Sequence, residues 1–239
     1  MKKKILIVKN ISHEGPGLLE KVLKNYKIDY NIVDLSRDEK LPTVNNYSAV
    51  IILGGPDSAN DENEKILHQL NYVKEILNYK IPYLGICLGL QVLVKAAGGS
   101  VMKCSTKEIG FLDHEKNHFT IDLTEEGKKD PLFDGLGTSF NVFHLHGETF
   151  ELTNDMILIA TGKFCKNQIV RIGKNAYGIQ SHFELTEEMF MEWCRKDLDL
   201  VQFNYKKLYG VYRNVKVEYE SIALKLFENF LKIASFDLT

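Results

Sequence analysis

The sequence predicts a doubly wound α/β fold, with a mostly parallel sheet, helices on both faces and a few added antiparallel strands. Three observations support this prediction. Short apolar runs alternate with segments of helical apolar spacing through the first half of the chain. Residues 49–53 are apolar throughout and end at Gly54-Gly55-Pro56, as expected for a strand covered on both faces. Another apolar run meets a glycine-flanked cysteine, Cys87, and then a helical pattern, which predicts a sharp strand-to-helix turn.

The elements of the first half follow in order from these patterns. Strands are predicted at residues 4–8, 30–33, 49–53 and 83–86, where apolar residues run together. Helices are predicted between them, where apolar residues recur on one helical face: Leu18, Leu19, Val22 and Leu23; Ile66, Leu70, Val73 and Leu77; Leu88, Val92, Leu93 and Ala96. This alternation implies parallel strands joined by right-handed crossovers.

The pattern changes in the second half. Strands are predicted at 101–103, 119–123 and 156–160 without long helices between them, which indicates added, partly antiparallel strands on the same core. Residues 184–198 and 220–234 carry helical apolar spacing. No repeat or linker interrupts the chain, so residues 1–239 are predicted to form one domain, with 198–239 as a helical extension that packs on the sheet.

Composition excludes several classes of protein. A net charge of -2 argues against a nucleic-acid binder that neutralises phosphates. The lysine-rich start precedes an apolar run that Lys9 interrupts, so it predicts a first strand and not a targeting segment. No run is long enough to span a bilayer. Four scattered cysteines without a CxxC pair indicate neither disulfides nor zinc, and the expected compartment is the cytoplasm.

Cys87 is the candidate nucleophile. A strand, a glycine-flanked cysteine and a helix form the arrangement called a nucleophile elbow, and the helix N-terminus favours the thiolate. Acyl transfer also needs a base and a group that orients it. His182 and Glu184, two apart in an extended segment, point to the same side and are the best candidates. Spacing alone leaves six other histidines in competition: His13, His68, His114, His118, His144 and His146.

Backbone amides are the natural donors to an oxyanion in such a site. The amide of Leu88, which follows the nucleophile, is one candidate. Gly54 and Gly55 end a neighbouring strand at the carboxyl edge, where open α/β sheets place their ligands, so a glycine amide there is the second.

Three segments together resemble the class I (triad) glutamine amidotransferases: residues 52–56, 85–91 and 178–184. Their order and wide spacing match that family, and the resemblance extends over residues 108–111, 130–133, 144–150 and 167–168. It covers the chain from Lys4 to about Trp193 and is closest to the free-standing branch similar to the amidotransferase domain of GMP synthase. The family has a flavodoxin-like fold. Ser181 and Phe183, on either side of His182, depart from the residues usual in the family.

The resemblance implies a role for each matching residue. Cys87 is expected to be the nucleophile, His182 the base and acid, and Glu184 its orienting partner. Gly55 and Leu88 are expected to form the oxyanion hole. The residues expected to bind or shape the place of the substrate are Gly54, Gln91, Glu108, Gly110, Phe111 and His146. Neither a metal nor an organic cofactor is expected.

The expected activity is hydrolysis of the γ-amide of glutamine, or of a γ-glutamyl compound, through a γ-glutamyl thioester. As a glutamine amidotransferase, the chain would give its ammonia to a synthetase that the sequence does not identify. A stand-alone hydrolase or transferase of γ-glutamyl peptides is the alternative. A non-enzymatic binding module is a third reading, disfavoured because all three triad residues are present. A small-molecule substrate is expected, without nucleic acid or membrane.

Overall fold

The computed structural model describes residues 3–238; Met1, Lys2 and Thr239, at the two ends of the predicted domain, lie outside the described residues. Eleven strands are formed within 3–238: β1 Lys4–Lys9, β2 Asp29–Asp34, β3 Ala49–Ile52, β4 Tyr83–Ile86, β5 Ser100–Gly110, β6 Thr120–Leu123, β7 Ser139–Asn141, β8 His144–Glu151, β9 Met156–Gly162, β10 Asn167–Ile172 and β11 Ala176–Ile179. Five α-helices accompany them: α1 Gly17–Asn25, α2 Glu64–Tyr79, α3 Leu88–Ala96, α4 Glu187–Lys196 and α5 Tyr205–Ile233.

Nine of these strands form one sheet, in the order β2-β1-β3-β4-β11-β10-β9-β6-β7. Strands β2, β1, β3, β4 and β11 are parallel neighbours, and the pairings from β11 to β7 are antiparallel. The predicted α/β class is therefore confirmed. The strand order reverses at β1, and open α/β sheets bind ligands outside the carboxyl ends of strands at such a point.

Alternation along β1 shows how the sheet separates two apolar layers. Ile5 and Ile7 pack on the face covered by α1, α4 and α5, whereas Leu6 and Val8 pack on the face covered by α2 and α3. All four side chains are fully buried. A strand buried on both faces has to be apolar throughout, which makes the first strands recognisable in the sequence.

The second half differs from its prediction in two ways. β5 and β8 do not join the main sheet but pair with each other in a separate antiparallel ribbon, whose register shifts between Lys103 and Glu108. β7, β8 and β10 were not predicted, because their sequences mix polar and apolar residues. The predicted antiparallel strands of the main sheet, β6 and β9, are present.

The two C-terminal helices have different bounds from those predicted. α4 begins at Glu187 and not at Glu184, because the Thr186 side chain accepts a hydrogen bond from the amide of Met189 and caps the helix there. α5 begins at Tyr205, far before the predicted 220, with Asn204 as its N-cap. No helix within residues 3–238 is both long and apolar enough to cross a membrane.

Candidate active site

Cys87 lies between β4 and α3, in a backbone conformation that few residues adopt. Its φ is 51° and its ψ is −105°, so the turn is strained and holds the side chain away from the strand. The flanking glycines are required by space: a Cβ on Gly85 would lie 2.3 Å from the carbonyl oxygen of Gly89, and a Cβ on Gly89 would lie 2.1 Å from that of Ile52. The geometry is that of a nucleophile elbow.

His182 and Glu184 follow β11, the parallel neighbour of β4, so the pairing of these strands brings them to Cys87. His182 Nδ1 lies 2.7 Å from Glu184 Oε1, and both side chains are buried. Because Nδ1 is held by Glu184, the other ring nitrogen, Nε2, is free to exchange a proton with the sulfur. Burial lowers the pKa of His182, but the Glu184 carboxylate and the contact with Cys87 raise it well above its usual value.

Neighbouring elements fix the backbone and ring of His182. The hydroxyl of Tyr219, on α5, donates to the His182 carbonyl oxygen over 2.8 Å, and the His182 amide donates to the carbonyl of Phe143 over 2.9 Å. The Trp193 ring meets the imidazole edge to face, with 5.1 Å between ring centroids. Phe183, one of the residues unusual for the resembled family, stacks on Tyr219. His182 is therefore held by Phe143, Trp193 and Tyr219, which come from three different parts of the second half.

Two further groups contact the Cys87 sulfur. Gln180 Nε2 donates to Sγ at 3.6 Å, and the carbonyl oxygen of Leu145 lies 3.8 Å from it. An amide donor stabilises a thiolate. Gln180 was not singled out from the sequence, although its position two residues before His182 on an extended segment places it on the same side.

Gly54, Gly55, Leu88 and Gln91 surround the nucleophile. A Cβ on Gly55 would lie 3.5 Å from Leu88 Cδ2, so these two residues are neighbours at the cavity wall. The amide of Leu88 opens α3, and the first amides of a helix have no partner within it. A Cβ on Gly54 would lie 3.0 Å from His182 Cε1 and 3.5 Å from Cys87 Cβ. Gly54 therefore allows the His182 ring and Cys87 to approach each other.

A cavity of about 680 Å³ opens at this edge of the sheet. Cys87 and His182 lie in its wall, and charged side chains of both signs border it. Its remaining lining includes Ile11, His13, Glu14, Gly55, Pro56, Asp57, Ser58, Leu88, Gln91, Lys103, Lys107, Leu145, His146, Gly147, Glu148, Lys196, Asp197, Leu198 and Asp199.

Three residues expected to contact the substrate do not line this cavity. Phe111 is buried among aromatic rings, at centroid distances of 5.1 Å from Phe143 and 5.6 Å from Tyr219. Gly110, next to it, and Glu108 are also buried and do not line the cavity. The side chain of Glu108 turns inward because buried donors surround it. No local pattern in the sequence indicates these donors, since they come from β8 and β10.

Glu108 is the counterion of a buried histidine pair. Its Oε2 lies 2.9 Å from His146 Nε2 and 3.0 Å from Gln168 Nε2. Burial lowers the pKa of His146, but contacts with the Cys104 thiol and with Glu108 raise it to about 9. Burial lowers the pKa of His144 to about 3, so that ring is neutral. Of this network, His146 lines the cavity, and its expected part in shaping the place of the substrate stays a prediction.

Two groups of side chains have donor atoms close enough for a metal ion, within 4.8 Å of one another: Cys104, His146 and Cys165, and Glu108, His144 and His146. Both depend on His146. Its Nδ1 faces the carbonyl oxygen of Glu148 at 2.9 Å and its Nε2 faces the Glu108 carboxylate, and each of these oxygens only accepts. Both ring nitrogens therefore carry hydrogen and offer a metal no lone pair. The arrangement is a hydrogen-bonded network.

Glu14 is, like Gln180, a residue of this site that sequence reasoning missed. It follows β1, borders the cavity and has only 7% of its surface exposed. Burial raises the pKa of its carboxyl to about 7. Its place after the first parallel strand, at the edge where such sheets bind ligands, was the signal available in the sequence.

Known proteins share this fold and these segments. A family model described as glutamine amidotransferase class-I matches residues 17–198. A glutamine amidotransferase-like protein of Salmonella typhimurium is 30% identical over 152 residues, which are 62% of this chain and 61% of that protein. One subunit of the glutamine-hydrolysing GMP synthase of Sulfolobus acidocaldarius is 27% identical over 73% of this chain and 92% of its own length. The match to full-length GMP synthases spans about a third of their length.

The fold is also that of solved structures. A glutamine amidotransferase from Thermotoga maritima superposes with a TM-score of 0.85 at 25% identity, covering 97% of this chain and 99% of that one. The family match covers well over half of the residues and includes Cys87, His182 and Glu184. The chain belongs to the class I glutamine amidotransferase family.

Proposed function

We propose that this chain hydrolyses the γ-amide of glutamine through a γ-glutamyl thioester on Cys87. The observation that carries the proposal is the meeting of three features at one cavity: a cysteine on a strained elbow, the His182–Glu184 pair beside it, and glycine and helix amides around it. These are the nucleophile, base, orienting group and oxyanion donors that acyl transfer needs.

The mechanism begins after the thiol proton of Cys87 has been transferred to His182. The raised pKa of His182 favours the thiolate–imidazolium pair, and Gln180 donates to the sulfur. The thiolate attacks the γ-carbonyl carbon, and the amides of Gly55 and Leu88 bind the oxygen as it becomes negative. His182 Nε2 then protonates the departing nitrogen, the carbon–nitrogen bond breaks, and the thioester remains. Water that gives its proton to His182 releases glutamate and restores Cys87.

The α-amino and α-carboxylate groups of the substrate need partners of both signs. The cavity supplies them: Lys103 is exposed at the wall, and Glu148, which accepts a hydrogen bond from the Ser58 hydroxyl at 2.9 Å, also lines it. We assign the recognition of these groups to Lys103 and Glu148, in place of Glu108, Gly110 and Phe111. Gln91 lines the cavity on α3, which supports the expected contact with the γ-glutamyl group.

The ammonia would pass to a synthetase partner. The Sulfolobus relative is by name one subunit of a glutamine-hydrolysing GMP synthase, which supports a synthetase as the partner class. The alternative is a hydrolase of γ-glutamyl peptides or amines. The size of the cavity favours this alternative. Its volume of about 680 Å³ lies in the middle of the range for drug-sized ligands and leaves room for a group beyond the γ-amide.

The test is glutamate release by the purified chain, from glutamine and from a set of γ-glutamyl peptides, for the wild type, Cys87→Ala and the control Cys194→Ala. Cys194 is a second buried cysteine, on α4. Activity that Cys87→Ala abolishes and Cys194→Ala keeps supports the mechanism, and the preferred substrate decides between the two functions. Release that persists in Cys87→Ala would contradict the assignment of the nucleophile.

A further inference from the structure

Glu14 is a buried acid that the mechanism above does not use. Its Oε2 has no hydrogen-bond partner, and no cationic side chain within residues 3–238 forms an ion pair with it. Burial of a carboxylate without a partner costs several kcal/mol, so such groups are normally paired or absent. An acid kept in this state at the wall of an active site is a candidate for binding something that arrives with the substrate.

The unpartnered oxygen faces the reacting groups. A single methyl group built on Gly54 would lie 2.7 Å from Glu14 Oε2, 3.0 Å from His182 Cε1 and 3.5 Å from Cys87 Cβ. Cε1 is the ring carbon between the two nitrogens of His182. The carboxylate therefore lies beside the edge of the imidazole from which Nε2 delivers its proton.

The loop that carries Glu14 is fixed on both sides. The Trp193 indole donates to the carbonyl oxygen of His13 over 3.2 Å, and the amide of Leu18 donates to the carbonyl of Glu184 over 2.8 Å. Gly17 packs so closely on Glu184 that a Cβ there would lie 1.9 Å from its carbonyl oxygen. Glu14 is thus held in place by the same residues that hold the base and its carboxylate.

We propose that Glu14 binds the nitrogen that leaves the γ-carbonyl, by accepting a hydrogen bond from its N–H. This inference rests on the proposed function and names its leaving group: ammonia, or an amine that carries N–H. When the tetrahedral adduct breaks down, the carbon–nitrogen electron pair goes to nitrogen, His182 supplies the proton, and the carbonyl forms again on the thioester. The nitrogen gains positive character in this step, and Glu14 is the carboxylate beside it.

An ester leaving group gives the contrast. A departing alcohol carries only the proton that His182 delivers, so it has no second hydrogen for Glu14. A departing ammonia has two more. The role of Glu14 can therefore be separated from any general support of His182 by a comparison of glutamine with the γ-methyl ester of glutamate, which passes through the same thioester.

The experiment measures kcat/KM for both substrates in the wild type and in Glu14→Gln, which keeps the shape of the side chain and removes its charge. A hydrogen bond to a charged group predicts a loss of about 10- to 100-fold for glutamine. For the ester we expect a change of less than about threefold. An equal loss on both substrates, or no loss on either, overturns the proposal.

A second measurement does not depend on turnover. Alkylation of Cys87 by iodoacetamide is followed in ammonium chloride and in tetramethylammonium chloride at equal ionic strength. Ammonium has the N–H groups that Glu14 would bind, and tetramethylammonium has none. We expect ammonium to slow alkylation of the wild type and to lose this effect in Glu14→Gln; equal behaviour of the two salts overturns the proposal. The two proposals can fail separately. If ammonium protects Cys87 but the protein never hydrolyses glutamine, Glu14 still binds an amine, and the proposed function is refuted.

Discussion

Gly54 lies where Cys87, His182 and Glu14 come close together. Its missing side chain is what lets these three groups share one space, since a Cβ there would contact all of them. The sequence indicated a glycine pair after a buried strand but offered only a backbone role for it. The steric role depends on Glu14 and His182, which lie far from Gly54 along the chain.

Replacement of this glycine therefore affects the site more than the fold. We expect Gly54→Ala to lower kcat/KM by about 100-fold or more, because the added methyl displaces the imidazole or the Glu14 carboxylate by a few tenths of an ångström or more. The matched control is Gly137→Ala, where a Cβ would have nothing within 4 Å. Kinetics of both variants, with circular dichroism spectra to compare their folds, check this; equal activities would contradict it.

Glu14 also makes stability depend on pH. Its pKa rises from 4.5 to about 7 on folding, so protons bind more tightly in the folded state. The stability gained from this tighter binding is fully present below pH 4.5 and is lost as the pH rises through about 7. Four charged groups act on this carboxyl: His182 and Lys9 lower its pKa, and Glu184 and Asp197 raise it.

Glu14→Gln removes the buried charge and should stabilise the protein at high pH. Above pH 7 we expect the free energy of unfolding to rise by up to about 3 kcal/mol, with little difference near pH 4.5. The comparison is of thermal unfolding curves of wild type and variant across this range. A difference in melting temperature that does not change with pH would contradict a raised pKa for Glu14 in the folded state.

At the scale of elements, the βα units of the first half were predictable and the ribbon was not. Strands such as β3, buried on both faces, are apolar throughout, and this pattern predicts a buried strand directly. β8 has the sequence HLHGETFE, and its polar residues are satisfied by β5, Glu108 and Ser58, which no local pattern reveals. The consequence for the site was direct, because Glu108 was assigned to the substrate while it lies within that network.

α5 was recognised only in part for a similar reason. The turns that follow Tyr205 are largely exposed, and apolar spacing is strong only near the C-terminal end. The helix begins where the Asn204 side chain accepts a hydrogen bond from the amide of Lys207, a cap that the sequence contained. Its length places Tyr219 under the active site, so the extension takes part in holding the base.

Tyr219→Phe tests this connection. The hydroxyl donates to the His182 carbonyl oxygen at 2.8 Å and accepts from the amide of Leu185 at 3.3 Å. Its removal leaves two buried backbone groups unpaired, and we expect a loss of about 1–3 kcal/mol in stability. We also expect a fall in kcat with KM nearly unchanged, since Tyr219 is buried and does not line the cavity. Tyr79→Phe, at an exposed tyrosine on α2, is the control. An equal loss of stability and kcat in that variant would contradict a specific role of α5.

At the scale of the molecule, we propose that residues 3–238 fold as one unit, as the sequence predicted. Hydrogen bonds join the first and last helices, from the Tyr26 hydroxyl to Glu228 over 2.8 Å, and join α5 to the loop before β7, from Asn229 to the carbonyl of Leu132 over 3.1 Å. Phe111, which follows β5, packs against Phe190 of α4 and Tyr212 of α5.

One cooperative unfolding transition is therefore expected. The chain has a single tryptophan, Trp193, which lies against His182 and reports on the site. Its fluorescence and the far-ultraviolet circular dichroism should change at the same denaturant concentration. Separate midpoints would divide the chain into two units, with α5 as the first candidate for independent unfolding.

The segments of the triad candidates could be predicted because each is short and chemically distinctive. Whether each side chain faces the cavity or the interior could not be predicted. Phe111 and Glu108 share a segment that resembles the family, yet both are buried away from the cavity. Burial depends on partners distant in the chain, and a single sequence does not name them.

The pairing of β4 with β11 also has a consequence for how activity appears during folding. Cys87 and Gln180 lie 93 residues apart, and the Cys87 amide donates to the carbonyl of Ile179 over 2.8 Å at the end of that pairing. Contacts between such distant segments form late, because the intervening loop has to be closed first. Cys87 and His182 therefore belong to parts of the chain that we expect to meet only near the end of refolding. During refolding, hydrolytic activity should therefore return after most of the helix content. The delay between the two signals would measure how long β11 takes to pair with β4.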